Sequence, residues 1–177
     1  MRSNRAEKIS SLRPIAACAA LVLALGAAAP ARAGGCVAGQ GSDQDRAAAC
    51  SQRLADSALA KAQQADAHIV RGWAFSQLGR WGEARLDYDA AVKLAPESTI
   101  AFNERGLMKL RTGRLPDALA DYRRALALRP NAPFSLYGVG LTKIRLGDVA
   151  AGEADLAAAR RIDPAVDKIF HDIGVTQ

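Results

Sequence analysis

A ten-residue pattern occurs three times in this chain, at a constant spacing of 34 residues. The segment DYDAAVKLAP begins at Asp87, DYRRALALRP begins at Asp121, and DLAAARRIDP begins at Asp155. A fixed period of this length indicates supersecondary units that cannot bury their apolar faces alone and therefore stack on their neighbours. The chain is predicted to be a repeat protein.

Each repeated unit contains two predicted helices. Between a recurrent glycine and a recurrent proline, apolar and small residues follow one another at helical spacing, as in Trp81, Ala84, Tyr88 and Ala91. Another helix, which is the first of the unit, precedes the glycine. Each unit is therefore predicted to be a helical hairpin.

Glycines and prolines mark the ends of these helices. A glycine suits the left-handed turn that ends the first helix, and a proline ends the second helix because it cannot continue the hydrogen-bond ladder. The positions are Gly79, Gly113, Gly147, Pro96, Pro130 and Pro164.

A further glycine lies inside the first helix of every unit. Because glycine in a helix costs about 1 kcal/mol relative to alanine, we expect it to allow a close approach to a small residue on the second helix. The pairs are Gly72 with Ala84, Gly106 with Ala118, and Gly140 with Gly152. With Gly152 in place of alanine and Gly138 nearby, we expect the third hairpin to be the loosest.

This register of glycine, alanine, aromatic residue, alanine and proline resembles the tetratricopeptide repeat family. The resemblance covers the segments 65–98, 99–132 and 133–166. It implies an all-α fold, a right-handed α-solenoid of three antiparallel helix hairpins. The chain departs from the family pattern where tryptophan or leucine is usual, at His68, Phe102, Leu136, Arg71 and Arg105.

The ends of the array are expected to be capped, because terminal units of a solenoid expose a face that interior units bury. Residues 167–177 begin a fourth unit and then stop, which predicts a short C-terminal capping helix. Residues 34–64 are predicted to form an N-terminal strap and a degenerate leading helix, in which Cys50 stands one period before Ala84.

Residues 1–33 are predicted to be a signal peptide. A basic start is followed by the uncharged run Ile15 to Ala29, which is short for a membrane span. Ala31, Arg32 and Ala33 then match the small-x-small pattern of a signal peptidase site. We expect cleavage after Ala33 and a periplasmic or secreted protein, the alternative being an uncleaved membrane anchor.

Export determines how the cysteines are interpreted. After cleavage Cys36 and Cys50 remain, and in an oxidising compartment we expect them to form a disulfide. The alternative is a lipoprotein whose Cys36 is lipidated, in which case the protein is anchored to a membrane. His68 and His171 are too distant from each other to complete a metal site of recognisable spacing.

The charge of the chain argues against nucleic acid as a partner. The formal net charge is +6, but after removal of residues 1–33 the remaining 19 basic and 17 acidic residues leave +2. Basic and acidic residues are interleaved, whereas a nucleic-acid-binding protein clusters its cations without matching carboxylates.

The family resemblance implies a protein or peptide partner, bound in a concave groove lined by the first helices. Trp73 and Tyr137 are the expected anchors, since aromatic residues dominate interface energetics, and Asn103 is expected to meet a peptide backbone. The predicted groove residues include Val70, Trp73, Gln77, Asn103, Glu104, Leu107, Arg111, Phe134, Tyr137, Leu141 and Arg145.

One known subclass of the family clamps a C-terminal carboxylate with Lys, Asn and Arg, and the corresponding positions here do not carry that chemistry. Arg111 and Arg145 are expected either to meet an acidic group or to be solvated last-turn residues. No nucleophile has a base at suitable spacing, so neither catalysis nor a cofactor is expected. The predicted function is an envelope adaptor or assembly factor; the alternative is a self-associating or lipid-anchored scaffold.

Overall fold

The computed structural model describes Cys36 and residues 41–175. The predicted signal peptide lies outside the described residues, as do Thr176 and Gln177. Within the described part the chain forms eight helices and no strand. They are α1 (Asp43–Leu54), α2 (Lys61–Gln77), α3 (Trp81–Leu94), α4 (Thr99–Arg111), α5 (Leu115–Leu128), α6 (Pro133–Arg145), α7 (Val149–Ile162) and α8 (Val166–Asp172).

Consecutive helices pack as hairpins, and the hairpins stack in chain order. The pairs α2–α3, α4–α5 and α6–α7 form the three hairpins, α1 packs on α2, and α8 packs on α6 and α7. The first helices also contact one another, α2 with α4 and α4 with α6. The all-α solenoid predicted from the sequence is confirmed.

The turns inside the hairpins depend on glycine. Gly79, Gly113 and Gly147 have φ of 71°, 76° and 94°, a left-handed conformation that other residues adopt only at a cost. Each follows the end of a first helix, as the sequence predicts.

In the first two hairpins the glycine inside the first helix serves a different neighbour from the one predicted, whereas the predicted approach of Gly140 to Gly152 is confirmed. A Cβ built on Gly72 would lie 3.1 Å from Cε1 of Tyr88, and one on Gly106 would lie 3.2 Å from Cε1 of Tyr122. Both tyrosine rings are buried. The missing side chains therefore make room for tyrosines on the second helices rather than for a close approach to Ala84 and Ala118.

The third hairpin is closely packed, contrary to the prediction that it would be the loosest. A Cβ on Gly140 would lie 2.8 Å from the carbonyl oxygen of Gly152, and one on Gly152 would lie 2.7 Å from the carbonyl oxygen of Gly140. Leu156 replaces the tyrosine of the other units and is fully buried. Because leucine is smaller, the two backbones approach until only glycine fits on either side.

Gly138 has its own role at the junction between the second and third hairpins. A Cβ at this position would lie 2.5 Å from Cε1 of Tyr122, a separation that real Cβ atoms do not show. The ring of Tyr122 therefore lies directly against the α6 backbone.

The N-terminal end is closed by Cys36. The structure pairs Cys36 with Cys50 in a disulfide, with their Cα atoms 4.6 Å apart. The two cysteines and Ala67 form a small buried cluster against which Val70 and Leu54 pack. This places a piece of the N-terminal strap over the first face of the array.

Candidate protein-binding groove

The predicted groove residues all lie on the first helices α2, α4 and α6. Their surroundings divide them into three parts, which we call the N-terminal, middle and C-terminal thirds of the groove. The N-terminal third contains Val70, Trp73 and Gln77. The middle third contains Asn103, Glu104, Leu107 and Arg111, and the C-terminal third contains Phe134, Tyr137, Leu141 and Arg145.

The N-terminal third is partly covered by the segment that precedes the repeats. Val70 packs on the cysteine cluster. The guanidinium of Arg46 lies 4.8 Å from the ring centre of Trp73, a cation–π contact. Arg46 is buried and is held by Asp43 and by the carbonyl oxygen of Gly41. One face of the predicted anchor Trp73 is therefore occupied, while Gln77 is exposed at the end of α2.

The C-terminal third is covered by α8. The ring of Phe170 lies 4.5 Å from the rings of both Phe134 and Tyr137. Phe170 is fully buried, and Tyr137 and Leu141 are 5% and 2% exposed. The prediction that Tyr137 anchors a partner is corrected accordingly, because the chain's own C-terminal helix already occupies that surface.

Tyr137 is also held electrostatically from the same side. Arg160 of α7 lies 5.9 Å from its ring centre and forms an ion pair with Asp167 of α8, Nε to Oδ2 at 2.9 Å. Burial, followed by the hydrogen bond with Asp167, raises the pKa of Tyr137 to about 12. The phenol is therefore neutral at physiological pH.

Asn103 and Arg145 connect the second and third hairpins. Oδ1 of Asn103 accepts a hydrogen bond of 2.7 Å from Oγ of the buried Ser135, so Asn103 takes part in the contact between α4 and α6 and is itself 9% exposed. Nη1 of Arg145 donates to the carbonyl oxygen of Leu110 at 3.3 Å. Arg145 is an exposed last-turn residue of α6.

The middle third contains a narrow cavity of about 10 Å³, which has room for about one water molecule. Helices α2, α3 and α4 contribute its walls. They supply Trp73, Ser76, Tyr88, Glu104, Leu107, Met108 and Arg111. Three of the predicted middle-third residues are therefore brought together with Trp73 around one space.

Glu104 is the polar centre of this cavity. Its Oε2 atom is buried and has no hydrogen-bond partner among the described residues. Burial raises the pKa of Glu104 to about 7, and the positive charge of Arg111 partly opposes that rise. The guanidinium of Arg111 lies 5.4 Å from the ring centre of Trp81. The hydroxyl of Tyr122 is buried without a partner among the same residues, and the charge of Glu104 adds to burial in raising the pKa of Tyr122.

Some residues of the groove were missed by the sequence analysis. Arg46 was not assigned to the groove, although it stands one period before Arg80 at the start of a second helix. Met108 and Tyr88 line the cavity from positions that the helical pattern assigns to the core. Phe170 was placed in register, but its contact with Tyr137 was not anticipated.

The recurrent aspartates are structural rather than part of the groove. Asp87 is buried and accepts hydrogen bonds from Nδ1 of His68 and from Nε and Nη2 of Arg71. Burial disfavours its charged form, but the hydrogen bonds from His68 and Arg71 outweigh that effect and lower the pKa of Asp87. Asp121 is paired in the same way with Arg105, and also with Lys109.

Two further observations apply to Cys36 and residues 41–175. No helix in this part of the chain is long and apolar enough to cross a membrane. No group of three or more histidine, cysteine, aspartate and glutamate side chains is placed to hold a metal ion there.

A family model described as tetratricopeptide repeat matches residues 32–99 and 69–133, more than half of the chain. Among curated proteins, none matches this sequence. The fold is similar to the crystal structure of MamA, with 17% identity, coverage of 71% of each chain and a TM-score of 0.60.

Two other solved structures have the same fold. YrrB, described as a TPR protein with an unusual peptide-binding site, has 18% identity and a TM-score of 0.61, with coverage of 75% of this chain and 66% of YrrB. TTC0263 of Thermus thermophilus, described as a thermophilic TPR protein, has 17% identity, coverage of 75% of each chain and a TM-score of 0.59.

Proposed function

The chain belongs to the tetratricopeptide repeat family, and on that basis we propose that it is a non-catalytic, exported interaction module. It binds a peptide or protein segment in the middle third of its concave groove and serves as an adaptor or assembly factor in the cell envelope. The carrying observation is the stack of first helices α2, α4 and α6, whose middle third lies between two parts of the groove that the chain itself covers.

The covered ends support a short binding site. Arg46 lies over Trp73, and Phe170 lies over Phe134 and Tyr137. Between them α4 presents the half-buried Glu104 and Arg111, whereas Leu107 is 5% exposed. The YrrB description also names a peptide-binding site in a protein of this fold. We therefore expect a segment of a few residues to contact the groove, with modest affinity because few contacts offset the lost freedom of the ligand.

Export is proposed from residues 1–33 and is supported by the cysteine pair. A Cys36 sulfur bonded to Cys50 is unavailable for lipidation, which favours a periplasmic or secreted protein over a lipoprotein. The intact mass of the protein purified from its cells tests both points. We expect a chain beginning at Gly34 with two hydrogens fewer than the reduced form, whereas an added lipid mass on Cys36 would contradict the proposal.

A non-catalytic role is supported by the way the two recurrent buried aspartates are used. Asp87 and Asp121, the buried carboxylates that recur with the repeat, are paired with Arg71 and Arg105 within their own hairpins. Carboxylates held in this way position helices and do not transfer protons. The family to which the chain belongs generally provides interaction modules, which agrees with this assignment.

Site-specific photo-crosslinking in living cells tests groove binding. We would place p-benzoylphenylalanine at the exposed Gln77, beside the cavity, and as a control at Leu86, which is 61% exposed on the second helix α3. Capture of one dominant partner at Gln77 and not at Leu86 is expected. Equal capture at both positions, or none in a folded protein, would contradict groove binding.

Self-association is the second candidate function. Helix α8 occupies the place of a first helix, and no second helix follows it in the described part of the chain. Ile162 is therefore 46% exposed, whereas Leu94 and Leu128 at the equivalent positions are half-buried by the following unit. Sedimentation at two micromolar concentrations decides this question: a mass that rises with concentration supports a scaffold, and a constant monomer mass excludes it.

A further inference from the structure

The chain turns back on itself where α8 ends. The backbone N–H of Gly174 donates to the carbonyl oxygen of His171, and that of Val175 donates to the carbonyl oxygen of Phe170, each at 2.9 Å. Gly174 has a φ of 75°. These features form a Schellman motif, in which the residue after the glycine commonly packs on the third residue from the helix end. The motif therefore fixes the direction in which the chain leaves α8.

The same motif ends the first helices of the three hairpins, but the chain continues differently there. The residues after the glycine, Arg80, Arg114 and Asp148, make the corresponding bond at 2.8, 2.8 and 3.0 Å. All three are exposed and lead into a second helix. Val175, by contrast, is 3% exposed and belongs to the buried cluster that also contains Leu107 of the groove. After α8 the chain is therefore directed against the protein.

The segment Val166–Val175 extends from the C-terminal third of the groove to the middle third. Phe170 lies on the ring of Tyr137 in the C-terminal third. Towards the end of the segment, a Cβ built on Gly174 would lie 3.8 Å from Nη2 of Arg111, which belongs to the middle third. The segment therefore lies on the surface that a bound partner would contact.

Few side chains hold this segment in place. Helix α8 has seven residues, whereas α2, α4 and α6 have 17, 13 and 13, and an isolated helix of that length is not stable in water. The buried side chains of the segment are Val166, Phe170 and Val175. A terminal segment with so few buried side chains opens at a lower free energy than the core. It can therefore leave the groove while the hairpins remain folded.

We propose that the segment Val166–Val175 is a built-in competitor of the partner: in the free protein it occupies the C-terminal and middle thirds of the groove, and a bound segment displaces it. This inference rests on the proposed function, since it names the regulation of the same groove. Phe170 and Val175 share one buried apolar cluster with the groove residues Leu107 and Tyr137. The displacing segment therefore supplies apolar side chains in place of these two.

A synthetic peptide tests this inference on the purified mature protein. The probe is the fluorescein-labelled peptide of residues 165–177, AVDKIFHDIGVTQ, and fluorescence anisotropy measures its binding. Phe170→Ala is expected to release the internal segment and to bind the peptide at least ~10-fold more tightly than the wild type, because apparent affinity scales with the fraction of protein whose site is open. Ile169→Ala changes a side chain that is 39% exposed on the same helix and should bind as weakly as the wild type.

A second release variant keeps the test decisive if Phe170→Ala does not fold. Val175→Asn places a polar group in the same buried cluster and is expected to show the same gain over the wild type. If the segment were only a structural cap, its release would loosen the groove, and no variant would bind the peptide more tightly than the wild type.

Each outcome bears on a different claim. Tighter binding of the peptide to the release variants, with stronger capture of the cellular partner at Gln77 in Val175→Asn, supports the inference. Equal binding of the peptide to every form, or to none, overturns it and leaves groove binding intact. If the peptide binds the released groove but nothing is captured at Gln77 in cells, the proposed function is overturned, and the competition with a partner falls with it.

Discussion

Arg71 holds Asp87 with two parallel hydrogen bonds, Nε to Oδ2 at 2.9 Å and Nη2 to Oδ1 at 2.7 Å. Its remaining nitrogen, Nη1, donates to Oγ of Ser51 at 3.0 Å. The guanidinium therefore joins both helices of its own hairpin to the helix before them. A bidentate arginine fits a carboxylate in this way because both groups are planar.

The same arrangement recurs one period later. Arg105 makes two bonds to Asp121 at 2.9 and 2.7 Å, and its Nη1 donates to Asp89 of the preceding hairpin at 3.0 Å. The third unit has Val139 at this position, and Asp155 pairs with Lys143 at 2.6 Å instead. The arginines that depart from the family pattern thus connect neighbouring hairpins.

Arg71→Ala is expected to destabilise the fold by about 2 kcal/mol, because it removes the guanidinium that makes two hydrogen bonds to the buried carboxylate of Asp87. Urea unfolding followed by circular dichroism measures the change. The matched control is Arg114→Ala, which removes an ion pair with Asp117 whose partners are about half exposed and should cost much less, because solvent screens exposed pairs. Equal losses in the two variants would contradict the structural role of Arg71.

Glu104→Gln is expected to become more stabilising as the pH rises from 5 to 8. The pKa of Glu104 is about 7 in the folded protein against an ordinary value of 4.5. Between these values the folded protein retains a proton that the unfolded chain has lost, so the wild-type stability falls as the pH rises and levels off above about 7. Arg111, Tyr88 and Tyr122 face the carboxyl group, and both phenols remain neutral in this range.

The measurement is the difference in unfolding free energy between Glu104→Gln and the wild type at several pH values. We expect this difference to shift in favour of the variant by about 2 kcal/mol across the range. A difference that does not change with pH would show that the carboxyl group ionises as freely in the folded protein as in the unfolded chain.

Gly138→Ala is expected to destabilise the protein by about 1–3 kcal/mol through overpacking. The new methyl group would lie 2.5 Å from Cε1 of Tyr122, so the ring or the α6 backbone has to shift. Thermal unfolding measures the loss. Gly82→Ala is the matched control, because a Cβ at that helical position meets nothing within 4 Å, and it should be neutral or stabilise by up to about 1 kcal/mol.

Phe170→Ala is expected to release α8 from the C-terminal third of the groove. Loss of a fully buried phenylalanine costs about 3–5 kcal/mol in a core, and the contact with Phe134 and Tyr137 is the one that places this helix. Hydrogen exchange followed by mass spectrometry should show lost protection in α8 and the start of α6, with α2–α5 retained. Ile169→Ala, at a residue that is 39% exposed, should leave the exchange pattern unchanged.

The repeat and the turns could be derived from the chain because their causes are local or periodic. Glycine at a positive φ, proline after a helix and apolar residues at helical spacing act within a few positions, and stacking then follows from the constant period. The expectations about the third hairpin and about Ala84 failed for a common reason. A glycine in the sequence indicates that space is needed at its position, but it does not indicate which side chain fills that space.

Which part of the groove is accessible could be determined only from the tertiary structure. Whether Tyr137 faces a partner depends on Phe170, 33 positions later, and whether Trp73 is open depends on Arg46 in a helix before the repeats. Periodicity assigns equivalent positions to the same face of every unit, but it treats all units alike. The two ends of the array differ from its middle because they have no neighbours, so the chain covers them with its own terminal segments. Only the packing of those segments decides which part of the groove remains without such a cover.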